Sequence, residues 1–151
     1  MSFLSAFNIC ASGLTAQRKR LDVASENLAN SETTRTESGN PYRRKMVVLQ
    51  EIQGDGPSFR SHLARASQVS GLKGNVGGVR VAAIVEDQRD LIPVYNPEHP
   101  DADEDGYVQM PNVDLVKETI DGMSATRSYE ANITAFNAIK LMAQKALDIG
   151  K

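Results

Sequence analysis

Residues 3–28, with the sequence FLSAFNICASGLTAQRKRLDVASENL, repeat apolar side chains in alternating steps of four and three. This is the 3.5-residue period of a coiled-coil seam, in which one face of a helix packs against a partner helix. The pattern predicts a first helix from Ser2 to about Asn30, in which Gln17 is the one polar seam member. The apolar members of the seam are Phe3, Phe7, Cys10, Leu14, Leu21, Ala24 and Leu28.

The C-terminal segment, from about Asn112 to Ile149, is the candidate partner, because it also has a helical apolar pattern. A helix that is apolar on more than one face must be buried on more than one face, so we expect further chains to cover part of it. One apolar face consists of Val113, Val116, Ile120 and Met123. The other consists of Tyr129, Ile133, Phe136, Ala143 and Leu147, with Ile139, Met142, Ala146 and Ile149 beside it.

The middle of the chain has the pattern of a small, mostly antiparallel β unit. Strands are predicted at residues 42–52, 79–86, 91–95 and 107–110, and loop 53–78 is rich in Gly and Ser. A loop of this length is unusual in a compact domain, so we expect it to be flexible or to contact a partner. The fold class is therefore α+β, with helical segments 1–34 and 111–151 around a β-rich insert, 35–110. In the second strand, the predicted half-buried side consists of Val79, Val81, Ala83 and Val85.

Charge and composition exclude several classes of function. The net charge of −2 over 151 residues gives no basic surface for nucleic acid, so no nucleic-acid partner is expected. No run of 18 apolar residues is present, which predicts no membrane span. The first residues lack the basic and uninterrupted apolar regions of a cleaved signal peptide. The single cysteine, Cys10, cannot form an internal disulfide.

Chemically active side chains do not form a recognisable constellation in the sequence. Residues 101–106 (DADEDG) match the first half of an EF-hand loop, but Asn112 occupies the position where calcium binding requires Glu. His62 and His99 lie far apart in sequence and do not define a metal site. Cys10 falls on the apolar seam, where a buried side chain is expected rather than a nucleophile. We therefore predict no catalytic residue, no metal site and no cofactor.

Three residues near the first helix have predicted backbone or packing roles. Gly13 is unfavourable within a helix, by about 1 kcal/mol relative to alanine, so a neighbouring helix should approach it closely. Asn27 and Asn30 are expected to end the helix and direct the chain into the insert.

Several of these segments together resemble the bacterial flagellar rod and hook protein family. The N-terminal motif comprises Ala11–Gln17, Arg20–Asp22, Asn27–Asn30 and Thr33–Thr34, followed by Pro41–Arg44 after an insertion. The C-terminal motif comprises Ser128–Asn132 and Ala135–Gly150. A third stretch, Tyr95–Asp103 with Gly106–Val113, is similar to rod members of the family. The residues matched to the family motifs include Gly13, Leu14, Asn27, Leu28, Ala29, Asn30, Tyr42, Arg43, Tyr129, Glu130, Ala131 and Asn132.

The resemblance implies a structural subunit and not an enzyme. Such proteins assemble with copies of themselves and with other rod proteins into an axial tube that crosses the periplasm and transmits torque. They leave the cell through the flagellar type III export apparatus without a cleaved signal peptide. Their terminal helices pack in the inner layer and the insert faces outward.

Contacts between subunits in such an open helical tube join two different patches of the chain. We expect these patches to come from the seam and from the second helix. The candidate interface residues are Phe3, Phe7, Cys10, Leu14, Leu21, Ala24, Leu28, Ile120, Met123, Tyr129, Ile133, Phe136 and Leu147.

Two other classes remain open on the residues alone. One is a free-standing helical adaptor that binds a partner helix. The other is a metal-dependent hydrolase that uses His99 and the neighbouring aspartates.

Overall fold

The chain forms two long helices with two small antiparallel sheets between them, which confirms the predicted α+β class. A computed structural model describes residues 3–52 and 77–149, except for the side chains of Phe3 and Leu4. Most of the predicted loop 53–78 therefore lies outside the described residues. The elements are α1 (Phe3–Ala29), β1 (Lys45–Glu51), β2 (Val79–Glu86), β3 (Ile92–Tyr95), β4 (Tyr107–Met110) and α2 (Leu115–Ile149).

Helices α1 and α2 pack against each other in antiparallel orientation. The rings of Phe7 and Phe136 meet edge to face, with centroids 4.8 Å apart. A Cβ atom added at Gly13 would lie 3.1 Å from the Asn132 Nδ2 atom, so the predicted close approach of a helix at this glycine is confirmed. The pair is thus held within one chain by the partner that the seam pattern predicts.

The most buried residues of α1 do not coincide with the predicted seam. Ala16, Val23, Ala24 and Asn27 are buried, and only Ala24 among them is a seam member, whereas Leu28 is 41% exposed. Phe7, Cys10, Leu14 and Leu21 are half-buried, and the side chain of Phe3 is not described. The reason is that α1 also packs against β1 and β2. Its most buried stripe lies between these neighbours, not at the centre of the helix pair.

The two sheets each contain two antiparallel strands. Strand β1 pairs with β2 from Lys45 opposite Glu86 to Glu51 opposite Val79, with an irregularity between Val48 and Leu49. Strand β3 pairs with β4, and the hairpin turns at Gly106, which has a φ of 78°. A Cβ atom there would also lie 3.0 Å from the Tyr95 ring, so glycine fits both the backbone and the space.

The prediction of a half-buried side for the second strand is only partly correct. Val79 and Val81 are half-buried, but Ala83 and Val85 are exposed. The Val79 amide donates a hydrogen bond to the Ser12 hydroxyl at 3.1 Å, so this end of β2 lies against α1. Farther along the strand, the exposed residues show that no second layer of the described structure covers the sheet.

Helix α2 begins at Leu115, three residues later than predicted, because Asp114 is its N-cap. The Asp114 carboxylate accepts hydrogen bonds from the amides of Val116 at 3.1 Å and Lys117 at 3.2 Å. These bonds, with that of Lys117 the largest contribution, lower the pKa of the Asp114 carboxyl group. Asn112 lies outside the helix, and its side chain joins the segment before β1 to the segment after β2. It accepts a hydrogen bond from the Arg44 amide and donates to the Asp87 and Arg89 carbonyls.

A buried asparagine joins α1, β1 and α2. The Asn27 side chain is 1% exposed, and its amide group makes four hydrogen bonds. Its oxygen accepts from the Tyr42 hydroxyl at 2.9 Å and the Lys45 amide at 2.8 Å. Its nitrogen donates to the Lys45 carbonyl and to Glu118 Oε2, both at 2.9 Å. Every donor and acceptor position of the side chain is therefore used.

Glu118 and Arg44 extend this contact into a charged cluster. Glu118 is 3% exposed, and its Oε1 atom accepts a bond from Arg44 Nε at 2.6 Å. The Arg44 guanidinium also lies 3.4 Å from a carboxylate oxygen of Asp121 and 3.9 Å from one of Asp87. Hydrogen bonds from Arg89 lower the pKa of Asp87 to about 2, so this carboxylate stays charged. We call Asn27, Tyr42, Arg44, Asp87 and Glu118 the polar junction.

Truncating Asn27 should destabilise the protein much more than truncating the neighbouring Asn30. Asn27→Ala leaves the buried Glu118 carboxylate and the Lys45 backbone groups short of partners, so we expect a loss of about 3 kcal/mol. Asn30 bonds only locally, to the Glu26 carbonyl and Thr33, so Asn30→Ala should cost at most about 1 kcal/mol. Urea unfolding of both variants measures the difference. Equal losses would contradict the importance of the buried amide.

The Tyr42 hydroxyl should make stability depend on alkaline pH. Burial, with smaller contributions from Glu26, Glu118 and Glu86, raises the pKa of Tyr42 from 10.0 to about 12. Because the folded state holds this proton more tightly, the contribution is complete below pH 10.0 and is lost as the pH rises to about 12.

Tyr42→Phe tests this dependence. The variant should lack the tyrosine absorbance change near pH 12 and lose about 1 kcal/mol at neutral pH with its hydrogen bond. Its unfolding free energy should fall less steeply across the alkaline range than that of the wild type. If the wild type and Tyr42→Phe have the same absorbance change near pH 12, the pKa of Tyr42 is not raised to that value.

Candidate assembly surfaces

Apart from Phe3, whose side chain the structure does not describe, the candidate interface residues divide into those that pack within the chain and those that are exposed. Phe7, Cys10, Leu14, Leu21, Tyr129 and Phe136 are half-buried, and Ala24 is buried. The exposed members are Leu28, Ile120, Met123, Ile133 and Leu147. Most exposed members therefore lie on α2, the helix for which the sequence predicts more than one buried face.

The outer side of α2 is apolar near the start of the helix. Near its start, Leu115, Val116, Ile120 and Met123 each have more than half of their surface exposed. A soluble monomer rarely exposes large contiguous apolar areas, and such areas typically mark contacts with other molecules. This side of α2 is therefore a candidate contact surface.

The far end of α2 extends beyond the described part of α1, which starts at Phe3. The pairings of Phe7 with Phe136 and of Gly13 with Asn132 fix the antiparallel register of the two helices. At 1.5 Å per residue in both helices, the start of α1 lies level with about residue 140 of α2. We call residues 141–149 the overhang. Its exposed apolar members are Leu141, Met142, Leu147 and Ile149.

At the opposite end of the helix pair, an open groove of about 460 Å³ lies between α1 and α2. We call it the apolar groove. Leu21 and Leu28 line it from α1, and Met123 lines it from α2. Small residues, Ala24 and Gly122, also line the groove and leave room between the larger side chains. Arg127 and Glu130 line its α2 side, where they are exposed to solvent.

The β3–β4 hairpin contributes a further exposed apolar area. Ile92, Val94, Tyr95 and Tyr107 are exposed, and the two tyrosine rings meet with centroids 5.4 Å apart. Beneath the hairpin, Val108 is buried, so only part of its surface is free for a partner.

The residues matched to the family motifs differ in their contacts and in their burial. Asn27 and Tyr42 belong to the polar junction, and Arg43 donates from Nη1 to the Asp87 and Arg89 carbonyls. Asn132 lies against Gly13 at the crossing of the helices. Ala29, Glu130 and Ala131 are exposed, and Tyr129 is half-buried.

The expected role of Asn27 as a helix end is wrong, since it lies inside α1 and bonds to other elements. Asn30 is correctly placed just after the helix. Sequence reasoning placed Arg44 only at the end of a family motif, and it gave no role to Asp87 or Glu118. Helical spacing was the available sequence signal for the buried positions. Glu118 lies seven residues before the buried Ala125, and Asn27 lies four residues after the buried Val23, so each is on the same side of its helix as a buried residue.

The acidic turn connects the β3–β4 hairpin with the loop that follows α1. The Asp101 carboxylate accepts a hydrogen bond from the Thr34 hydroxyl at 2.9 Å and lies 3.6 Å from the Arg35 guanidinium. The His99 ring accepts a bond from the Asp101 amide. Within residues 3–52 and 77–149, no three His, Cys, Asp or Glu side chains converge in a way that could hold a metal ion. His62 lies outside the described residues.

The described part of the chain contains no helix that is both long and apolar enough to cross a membrane.

Comparison with protein families matches both ends of the chain. The family model described as "Flagella basal body rod protein" matches residues 7–35, which include most of α1. The family model described as "Flagellar basal body rod FlgEFG protein C-terminal" matches residues 104–149, which include β4 and α2. The two matched regions contain the N- and C-terminal motifs found in the sequence.

Comparison over the whole chain gives a more specific match within the same family. The chain is 55% identical to the flagellar basal-body rod protein FlgC of Bacillus subtilis, and the alignment covers all of both proteins. It is 42% identical to FlgC of Salmonella typhimurium, again over all of both proteins. It is also 42% identical to FlgC of Borreliella burgdorferi, over 99% of this chain and 98% of the relative. With identity at this level along its whole length, the chain belongs to the flagellar basal-body rod protein FlgC family.

Proposed function

We propose that this protein is a structural subunit of the bacterial flagellar basal-body rod, which assembles with other axial proteins into a helical tube that transmits torque. The observation that carries the proposal is the full-length identity to FlgC proteins. The family is structural and not enzymatic. The alternative of a free-standing helical adaptor is not favoured, because the match covers the insert as well as the helices.

The exposed apolar surfaces give this function a physical basis. An open helical assembly needs two different patches on each subunit, because a self-complementary patch closes into a dimer. Helix α2 offers an apolar side near Ile120 and an overhang that ends at Ile149, and these are separate areas of the chain. Their burial between subunits would stabilise the tube by about 25 cal/mol for each Å² removed from water.

We propose further that residues 1–34 and 111–151 form an inner helical domain and that residues 35–110 form an outer insert. The polar junction supports a fixed relation between the two, since Asn27 and Glu118 bond to residues at the start of β1. A rigid connection of this kind would let torque pass between the layers without the insert turning on the helices. The interface would use the exposed members of the candidate set, with the half-buried members supporting them.

The partners and location follow from the family. We propose that the subunit contacts copies of itself and other rod proteins in the periplasmic rod. It would reach that position through the flagellar type III export apparatus, without a cleaved signal peptide. Nucleic acid is not a partner in this proposal, and the small net charge supports its exclusion.

A charge on the exposed side of α2 should block assembly without unfolding the subunit. Ile120 is 59% exposed, so Ile120→Asp should change the unfolding free energy by about 1 kcal/mol or less. At an interface, the same charge would be buried without a partner, and its cost would prevent incorporation. The variant is placed in a flagellated bacterium whose own FlgC gene has been replaced by that of this protein.

Swimming and the recovery of the subunit in purified basal bodies are the measurements. The wild-type chain and Ile120→Leu, which stays apolar, should both restore swimming, whereas Ile120→Asp should not. Normal swimming of Ile120→Asp would remove this side of α2 from the interface. Failure of the wild-type chain to enter basal bodies would contradict the proposed function itself.

A further inference from the structure

We propose that a cleft between α1, β1 and α2 binds an oxyanion, either a phosphate group or a carboxylate, between the guanidinium groups of Arg20 and Arg44. We call it the arginine cleft. Its volume is about 210 Å³, which is enough for several water molecules or for one such anionic group. Arg20 lies on α1 and Arg44 lies just before β1. The proposal concerns a ligand of the folded subunit and does not depend on the proposed function.

Arg20 brings to the cleft a positive charge that no described carboxylate pairs with. Its side chain is half-buried and lines the cleft. Within residues 3–52 and 77–149, its guanidinium donates a hydrogen bond to the Gln17 Oε1 atom at 3.2 Å and forms no ion pair. A guanidinium group has several N–H donors in a fixed planar arrangement, so most of the Arg20 donors are available to a ligand.

Arg44 also has unused donors, despite its contacts in the polar junction. Its Nε atom donates to Glu118 at 2.6 Å, and its Nη2 atom lies 3.4 Å from Asp121. Its Nη1 atom is 3.9 Å from the Asp87 carboxylate, which is too far for a hydrogen bond. No buried side-chain nitrogen of the described residues lacks a hydrogen-bond partner, so Nη1 is reached by solvent. An anion that enters from solvent can therefore bond to this atom.

The two carboxylates that line the cleft do not use up its positive charge. Both oxygens of Glu118 are engaged, one by Arg44 and one by Asn27, so its charge is compensated. Asp121 is different, because its side chain is 49% exposed. Its 3.4 Å contact with Arg44 is long for a hydrogen bond between charged groups. Asp121 is therefore a weak internal competitor of the ligand, and it can turn toward water when the ligand binds.

The walls of the arginine cleft strengthen the attraction for an anion. The wall residues between the charged groups are apolar: Val23, Ala24, Met46 and Val47. An apolar surrounding lowers the local dielectric constant, so a charge-assisted hydrogen bond is stronger there than in water. Lys45 lines the cleft as a further cation, although its ammonium group is bonded to Glu26.

A bound oxyanion would connect the first helix to the insert. Because its oxygens would accept hydrogen bonds from both arginines, it would bridge α1 and the segment before β1 beside the polar junction. Binding to the folded state alone also stabilises that state. Free phosphate and the carboxylate of a neighbouring protein chain present the same chemistry to a guanidinium group. The experiments below therefore test the site first and its source of anion second.

Titration of the isolated subunit with potassium phosphate tests the site. Nuclear magnetic resonance follows the Nε–H signals of Arg20 and Arg44 at constant ionic strength, with chloride as the balancing anion. The wild type should show saturable shifts. Arg20→Gln should bind at least about tenfold more weakly, since it loses hydrogen bonds to a charged ligand. Arg18→Gln is the matched control and should bind like the wild type, because Arg18 is exposed and lies outside the cleft.

Asp121→Asn should change the affinity in the opposite direction. Removing the competing negative charge should tighten phosphate binding by about fivefold, an effect that a purely structural disturbance would not produce. Thermal unfolding without phosphate checks that all three variants are folded, since Arg20 bonds locally and the other two side chains are exposed. Absence of saturable binding to the wild type, or equal affinities of Arg18→Gln and Arg20→Gln, would overturn the proposal.

Incorporation into basal bodies identifies the source of the anion. Arg20→Gln and Arg18→Gln are each expressed in place of FlgC in a flagellated bacterium. If a neighbouring chain supplies a carboxylate, the recovery of Arg20→Gln should be at least about tenfold lower than that of Arg18→Gln. Equal recovery, together with phosphate binding by the isolated subunit, identifies a free anion as the ligand. Failure of the titration leaves the proposed rod function intact, whereas failure of the wild-type chain to enter basal bodies would refute that function alone.

Discussion

The buried amide of Asn27 is the contact on which the arrangement of this chain depends. Without its bonds to Lys45 and Glu118, the insert and α2 would meet this end of α1 mainly through small apolar contacts, because the buried apolar side chains near Asn27 are mostly alanine and valine. A fully bonded buried amide is directional, and it holds three elements in one geometry. The same arrangement stabilises the buried Glu118 carboxylate, since its hydrogen bonds with Arg44 and Asn27 compensate for its removal from water.

This architecture leaves much of the apolar surface uncovered. Two helices and two two-stranded sheets cannot enclose a large core, so residues such as Ile120 and Leu147 remain exposed in the isolated subunit. For a monomeric protein such surfaces would favour aggregation, but in the proposed rod assembly they would be buried between subunits. The polar junction fixes the arrangement inside the subunit, and the proposal assigns the contacts with neighbours to the apolar faces of α2. On this proposal, stability of the fold and stability of the assembly rest on different interactions.

Local patterns in the sequence predicted the elements well, for physical reasons that are visible at particular residues. The apolar repeat of α1 and the β-branched run of β2 report the periods of helix and strand, which depend only on nearby residues. The close approach at Gly13 was also predictable, because glycine is otherwise unfavourable within a helix. The seam predicted the most buried residues of α1 less accurately. Its period identifies one packing face, whereas α1 has packing partners on two sides.

The periodicity of the chain established the two helices, the antiparallel β unit and the excess of apolar surface on α2, because each follows from residues close together in sequence. The motifs at the two ends likewise indicated the rod family. Only the tertiary structure decided that Asn27 is buried rather than a helix end, and that Arg44 and Glu118 meet beside it. Asn27 and Glu118 are 91 residues apart, and each is an ordinary polar residue in its own segment. Their pairing appears only when the helices are brought together, since a buried hydrogen bond is determined by the position of both partners in space.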